Sequence, residues 1–285
     1  MTIETALRDA CFALDRAGVE SVRTDARLLM RFVLKISLET LLMETNRELT
    51  ETQQTQFESL VAMRATHRPM AQILGQREFW GHYFKVNEHT LIPRPDSETL
   101  ITGLLAHKRE RAKKLRILDL GTGTGCLLLS ALSEYPLSMG LGVDISEKAL
   151  AVARENAQAL GLAPRAEFKK SVWNSEINGV WDVVLSNPPY IPTADISGLS
   201  PDVALYEPRL ALDGGSSGLD CYRAIIGFLP SVLAEDGLAL LEVGAGQAAD
   251  VAALATTRGL TISQIMCDLA GVERCIIITK TRTVP

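Results

Sequence analysis

The sequence lacks any pairing of its cysteines. Cys11, Cys126, Cys221, Cys267 and Cys275 are odd in number, scattered, and free of a C-x-x-C spacing. That excludes a disulfide frame or a thiolate zinc site and leaves reduced thiols packed as small apolar residues. Histidine is as sparse: His67, His82, His89 and His107 show no ligand spacing, so no metal is expected. No stretch reaches the eighteen or so uninterrupted apolar residues of a membrane span. The N-terminus, with Glu4, Asp9 and Asp15, lacks the basic flank and apolar centre of a signal peptide, so the chain reads as cytoplasmic, without membrane contact. Nor is there an excess of positive charge. With 29 Lys and Arg against 34 Asp and Glu, a net charge of -5, the composition argues against a protein that grips nucleic acid through its phosphates.

What is present is enough apolar material, 47% of 285 residues, for one large domain and a smaller one. Residues 1–68 read as a helical bundle. Ala6, Leu7, Ala10, Leu14 and Ala17 recur at helical spacing before Gly18, and a second helix is predicted from Thr24, with Asp25 in its first turn. Ser37 and Thr50 are further N-cap candidates. Residues 69–90 read as a β-hairpin linker, with aromatic and β-branched residues on both sides of Gly81 and with Trp80 and Phe84 as packing groups. Residues 91–285 alternate strand and helix. Strands are predicted at Arg116–Leu120, Leu141–Asp144, Ala166–Lys169, Trp181–Ser186 and Gly237–Val243, followed by an antiparallel pair, Thr261–Met266 and Glu273–Thr279. Helices are predicted between them, one at Leu219–Ala234, and 191–218 reads as irregular. The fold class is α/β, a doubly wound, mostly parallel sheet.

Ligands of such sheets bind beyond the carboxyl ends of the strands where strand order reverses, here between the first and fourth strands of the 91–285 region. Two stretches fall there. Gly121-Thr122-Gly123-Thr124-Gly125 allows a tight turn and close approach of the backbone to a ligand, with Asp144 some twenty residues on, placed to accept ribose hydroxyls. The dinucleotide pattern wants a third glycine three residues after the second, and Cys126 stands there instead. Asp119, two residues before the first glycine, suits a sulfonium and an ammonium better than a pyrophosphate, which favours S-adenosylmethionine over a nicotinamide cofactor. The second stretch is Ser186-Asn187-Pro188-Pro189-Tyr190. Its prolines end the strand and stiffen a turn in which Asn187 Oδ1 and the Pro188 carbonyl can accept the two protons of a planar NH2 group while Tyr190 covers one face. An ordinary proline-terminated strand is the competing explanation of that loop alone. In Leu91-Ile92-Pro93-Arg94-Pro95-Asp96-Ser97-Glu98 the prolines restrict Arg94 so that it can aim at a carboxylate; a helix start with an exposed Arg is the plainer alternative.

Asp119 to Gly125, Asp144 and Ser186 to Ile191 together resemble the class I S-adenosylmethionine-dependent amino-methyltransferases. These have a Rossmann-like, mostly parallel seven-stranded sheet, and some members act on adenine, guanine or glutamine. Pro69 to Gly75, Glu78 to Gly81, Leu91 to Glu98 and Tyr206 to Gly215 narrow this, since they resemble the peptide chain release factor glutamine methyltransferase family (PrmC/HemK) over nearly the whole chain. The resemblance implies methylation of the side-chain amide nitrogen (N5) of the glutamine in the Gly-Gly-Gln motif of release factors. The enzyme is expected to be a monomer, and its helical domain reads as a recognition module for the substrate protein, with a simple folding accessory as the competing explanation. The resemblance also implies that Asp119, Gly121, Thr122, Gly123, Thr124, Gly125, Asp144, Trp173 and Asn187 bind the cofactor, with Trp173 beside its adenine. Asn187, Pro188, Pro189, Tyr190 and Arg94 would hold the substrate, with Asn187, Pro188 and Tyr190 catalytic. The alternative activity is an adenine or guanine amino-methyltransferase acting on nucleic acid. Two departures from the family pattern, Gln72 in place of an aromatic and Gly271-Val272-Glu273-Arg274 in place of Gly-Arg-Asp-Arg, are expected to lie away from the motif loops.

Overall fold

The computed structural model describes residues 1–173 and 177–281. The chain forms two compact units, one of Met1–Gln76 with Ser200–Tyr206 and the other of Arg77–Leu199 with the chain from Glu207 onward.

The first unit contains α1 (Ile3–Arg16), α2 (Val22–Leu34), α3 (Leu38–Met43), α4 (Glu51–Ala65) and α5 (Met70–Leu74). In α1, Ile3, Ala6, Ala10 and Leu14 are buried, the three-and-four spacing of a single helix face. Ser37 caps α3 by accepting from the Thr40 N–H at 3.2 Å, and Thr50 and Gln53 form a reciprocal capping box at α4. The second helix begins at Val22 rather than Thr24. Its Asp25 is drawn inward, accepting from Arg64 Nε at 2.7 Å and from Ser21 Oγ at 2.8 Å, and so ties α2 to α4. Removing one partner of such a buried pair costs about 3–5 kcal/mol, because the other charge is left uncompensated. Gln72 meets the 200–206 segment: its Nε2 donates to the Tyr206 carbonyl at 2.9 Å, a bond phenylalanine could not make.

The second unit opens with a hairpin, β1 (Gln76–Phe79) and β2 (His82–Lys85). Trp80 and Gly81 turn it with φ of 50° and 71°, the pair of positive values that a two-residue type I′ turn requires. The non-glycine residue is held from both ends. The Trp80 N–H donates to Glu98 Oε1 and its Nε1 to Glu134 Oε1, each at 2.8 Å.

A short 3-10 turn, Pro95–Ser97, leads into α6 (Glu98–His107). Then follow β3 (Arg116–Leu120), α7 (Cys126–Glu134), β4 (Met139–Asp144), α8 (Glu147–Ala159), β5 (Ala166–Lys170) and β6 (Trp181–Ser186). After α9 (Pro201–Tyr206), which belongs to the first unit, come α10 (Asp220–Val232), β7 (Leu233–Glu242), α11 (Ala248–Thr257), β8 (Leu260–Cys267) and β9 (Glu273–Lys280). The seven-stranded sheet has the order β5-β4-β3-β6-β7-β9-β8, parallel except for β9, which runs antiparallel to both neighbours. Strand β3, in the middle of the sheet, is apolar on both faces: Ile117 packs into one core and Leu118 and Leu120 into the other, as expected of a strand covered by helices on both sides. Sequence-based boundaries shift most in the second half of the chain. Helix α10 stops at Val232, two residues after its internal Pro230, so β7 starts at Leu233 rather than Gly237. The stretch expected to be irregular after the Asn-Pro-Pro-Tyr loop also holds α9.

Strand β3 pairs with β4 on one side and β6 on the other, bringing Leu120 level with Val143 and Ser186. The switch point thus sets the glycine loop, Asp144 and Asn187 at one edge of the sheet.

Candidate active site

The glycine loop is a backbone cradle. Gly121, Gly123 and Gly125 have φ of 73°, 54° and 80°, a region that side chains with a Cβ rarely occupy. The N–H groups of Gly121 and Thr122 both donate to the Val143 carbonyl at 2.9 Å, fastening the loop to the end of β4. Asp144 is fixed in turn, its two oxygens accepting from the Gly123 N–H at 3.0 Å and the Ser146 N–H at 2.8 Å. Burial raises its carboxyl above the ordinary value, opposed by these backbone hydrogen bonds. Asp119 lies beneath, 1% exposed. Its Oδ2 accepts from Thr122 Oγ1 at 2.6 Å, while Oδ1 has no hydrogen-bond partner among the described residues. Burial pushes this carboxyl up to about 7.

The cradle opens on a cavity of about 300 Å³, at the lower end of the range for small-molecule sites. Its wall includes Gly121, Thr122, Gly123, Thr124, Asp144 and Trp173, and on the far side Arg94, Asn187 and Pro189. A methyl group built on Gly121 would stand 3.5 Å from the Trp173 ring, so the indole lies against the loop; Trp173 itself has a φ of 43°, a strained value of the kind that collects at binding sites. Asp119, Gly125, Pro188 and Tyr190 are not part of this wall. A cradle open to the backbone, a fixed carboxylate at the end of β4 and an aromatic plate over the loop fit an adenosine-bearing ligand, and the unpartnered Asp119 Oδ1 keeps acceptor capacity behind the loop.

On the Asn-Pro-Pro-Tyr side, Asn187 Nδ2 donates to Ser97 Oγ at 3.1 Å, which leaves Oδ1 as the uncommitted end of the amide. Ser97 Oγ donates to Glu242 Oε2 at 2.5 Å, and the Tyr190 hydroxyl reaches Glu242 Oε1 at 3.4 Å. Burial, with Glu242 next to it, pushes the Tyr190 phenol up to about 12. The Tyr190 backbone is pinned from behind. Gln247 Nε2 donates to its carbonyl at 3.0 Å, and the Gly214 N–H donates to the Ile191 carbonyl at 2.8 Å. Gly218 passes so close that a Cβ there would lie 2.3 Å from the Tyr190 oxygen, which accounts for a glycine at that point of the loop. Arg94 does meet a carboxylate: its Nη2 sits 2.7 Å from Oε1 of the buried Glu207, so two of the sequence motifs join here.

Ser97, Glu242, Gln247 and Arg274 were not foreseen as site residues. Arg274 also corrects one expectation. Its segment does not lie away from the motif loops, for its guanidinium is 3.6 Å from Asp96 and 3.3 Å from the Val243 carbonyl, and it is anchored by Asp268 at 3.2 Å. The signal for Glu242 was a carboxylate closing the apolar run Leu238-Ala239-Leu240-Leu241, since a buried acid in a strand needs a reason.

This sheet order, with a glycine cradle after β3, an acid at the end of β4 and an amide-bearing turn after β6, defines a class I S-adenosylmethionine-dependent methyltransferase. The fold is shared with the ribosomal protein L11 methylase from Lactobacillus delbrueckii subsp. bulgaricus, with a TM-score of 0.51 at 20% identity over 69% of this chain and 84% of that one. Residues 5–75 match the PrmC N-terminal domain and residues 96–198 the Methyltransferase small domain. The chain is 45% identical to the release factor glutamine methyltransferase of Rhodospirillum rubrum, over 94% of its own length and 82% of the relative's. It is 40% identical to that of Bradyrhizobium diazoefficiens, over 98% and 95%. The chain belongs to the release factor glutamine methyltransferase family.

Proposed function

We propose that this chain transfers a methyl group from S-adenosylmethionine to the side-chain amide nitrogen of the glutamine in the Gly-Gly-Gln motif of peptide chain release factors. The observation that carries the reading is the Asn187 amide, held with Nδ2 on Ser97 and Oδ1 free on the wall of the donor cavity. The cavity residues Gly121, Thr122, Gly123, Thr124, Asp144 and Trp173 hold the donor, supported by Asp119 and Gly125. When bound, the donor supplies an electrophilic methyl on a sulfonium, which leaves as a neutral thioether.

An amide nitrogen is a weak nucleophile because its lone pair is delocalised into the carbonyl. Asn187 Oδ1 and the Pro188 carbonyl accept its two N–H bonds, hold the nitrogen in line, and localise electron density on it. Pro189 and Tyr190 set the plane of the amide, and Arg94, braced by Glu207, supports the rim. As the N–C bond forms the nitrogen becomes cationic and strongly acidic, so its proton departs after transfer and no general base is required.

The helical unit receives the substrate protein, within a division of the chain into 1–68, 69–90 and 91–285; this last range contains 174–176 and 282–285, which lie outside the described residues. The enzyme works in the cytoplasm as a monomer and does not take nucleic acid as substrate. Among the described residues no helix is long and apolar enough to cross a membrane. The test is labelled methyl transfer to purified release factor, to its Gly-Gly-Ala variant, and to DNA and RNA. Label is expected in the first alone; label in nucleic acid, or undiminished label in the variant, overturns the assignment.

A further inference from the structure

We propose that Glu242 sets the direction of the Asn187 amide through the hydroxyl of Ser97, so that the clamp presents an acceptor, not a donor, to its substrate. The inference rests on the function proposed above and concerns what polarises its site.

The two ends of an asparagine amide are almost the same size, so sterics do not choose which faces the cavity; hydrogen-bond partners do. Asn187 has one such partner on its inner side, Ser97 Oγ, at 3.1 Å. A hydroxyl carries a single proton. Here that proton is committed to Glu242 Oε2 at 2.5 Å, so Ser97 can only accept from Asn187. Accepting requires Nδ2 to turn inward, and Oδ1 then faces outward. The carboxylate at the end of β7 thereby dictates the chemistry at the end of β6 without touching it.

The groups facing Glu242 support this charged form from one side and oppose it from others. Arg274 on β9 favours it and Asp96 in the 95–97 turn disfavours it, while Ser97 and the Tyr190 hydroxyl donate to it. Cys126 on α7 and Cys275 on β9, both with thiols raised by burial, stay neutral, and the Tyr222 hydroxyl of α10 donates to the Glu242 carbonyl at 2.9 Å. Burial nonetheless pushes the carboxyl up to about 7. As pH falls through that value Glu242 acquires its own proton and can donate to Ser97. The hydroxyl is then released to donate to Asn187 Oδ1, and the amide inverts. Turnover therefore falls on the acid side.

The experiment compares the unsubstituted enzyme with Ser97→Ala, Ser97→Thr and Glu242→Gln, reading kcat from pH 5.5 to 9, donor binding by calorimetry, and the Asn187 side-chain amide signals in asparagine-labelled protein by NMR. Ser97→Ala is expected to lower kcat on the order of 10²-fold, the scale of a misoriented reacting group, with donor affinity within about twofold, and Ser97→Thr to restore most of the loss. Glu242→Gln should be slow throughout and lose the acid limb. The Asn187 amide signals should shift with pH in the unsubstituted enzyme and not in Ser97→Ala. A Ser97→Ala enzyme of normal kcat, a Ser97→Thr no better than Ser97→Ala, an acid limb that survives Glu242→Gln, or Asn187 signals indifferent to pH would each overturn the proposal. Unaltered donor binding separates these outcomes from misfolding. Absence of transfer by the unsubstituted enzyme would refute the functional assignment instead, and the NMR comparison would still decide the inference.

Discussion

The proposed donor cradle and the proposed amide clamp sit on adjacent strands and are built by opposite means. The cradle is local. Its loop, its carboxylate and the helix starts that fix them span Asp119 to Ser146, and most of the bonds that shape it come from main-chain N–H groups. The clamp gathers side chains from far apart: Ser97 stands 90 residues from Asn187 and 145 from Glu242. A site made of backbone tolerates change in its neighbours as long as the turn survives. A site made of a chain of side-chain hydrogen bonds inherits the weaknesses of every link.

The largest effect should come from the clamp. Asn187→Ala removes the acceptor proposed to align the substrate amide and is expected to reduce kcat about 10³-fold, as for the loss of one preorganised polar group in other active sites, with donor affinity little changed. Single-turnover methylation together with calorimetry checks this, and near-normal turnover would erase the distinction between the two regions. Asp144→Ala should do the converse. Losing the equivalent of one hydrogen bond to a charged acceptor, about 1.5–3 kcal/mol, should weaken donor binding about 10- to 100-fold while kcat at saturating donor moves much less. Equal damage to both constants would mean that the cradle also positions the reacting atoms.

The smallest effect compares the buried acids of the two regions. Asp119 and Glu242 are both pushed up to about 7 from ordinary values of 3.8 and 4.5, so folding favours their neutral forms. The stability they contribute is complete below the ordinary values and is lost as pH rises through about 7. Each contributes a slope of up to about 1.4 kcal/mol per pH unit in that window. Urea midpoints between pH 5 and 8 should fall with rising pH, and Asp119→Asn should flatten the fall by the share of that carboxyl. An unchanged slope in the variant would show that Asp119 titrates as an ordinary acid.

The same contrast governs what was legible beforehand. The strand and helix alternation, the antiparallel pair at the end of the sheet and the switch point could be read because apolar periodicity and glycine placement are local properties. The cradle was readable for that reason. In the clamp, Asn187 and its prolines were visible but their polarity was not: Ser97 passed as part of a helix start and Glu242 as the end of a strand. Nothing in a linear pattern says that a serine and a glutamate so far apart share a proton. Trp173 was placed only by family resemblance, because no periodicity marks a single residue in a loop. Arg94 was read as aimed at a carboxylate, yet which carboxylate depended on the return of the chain at Glu207.

The dispersal of the clamp also has a consequence in time. A ribosome delivers the chain from its N-terminus, so every residue of the donor cradle has emerged before the first residue of β7 exists. Glu242 and the Arg274 beside it arrive near the end. A chain made only as far as α10 therefore contains the residues proposed to hold a methyl donor and lacks two of those proposed to orient its acceptor.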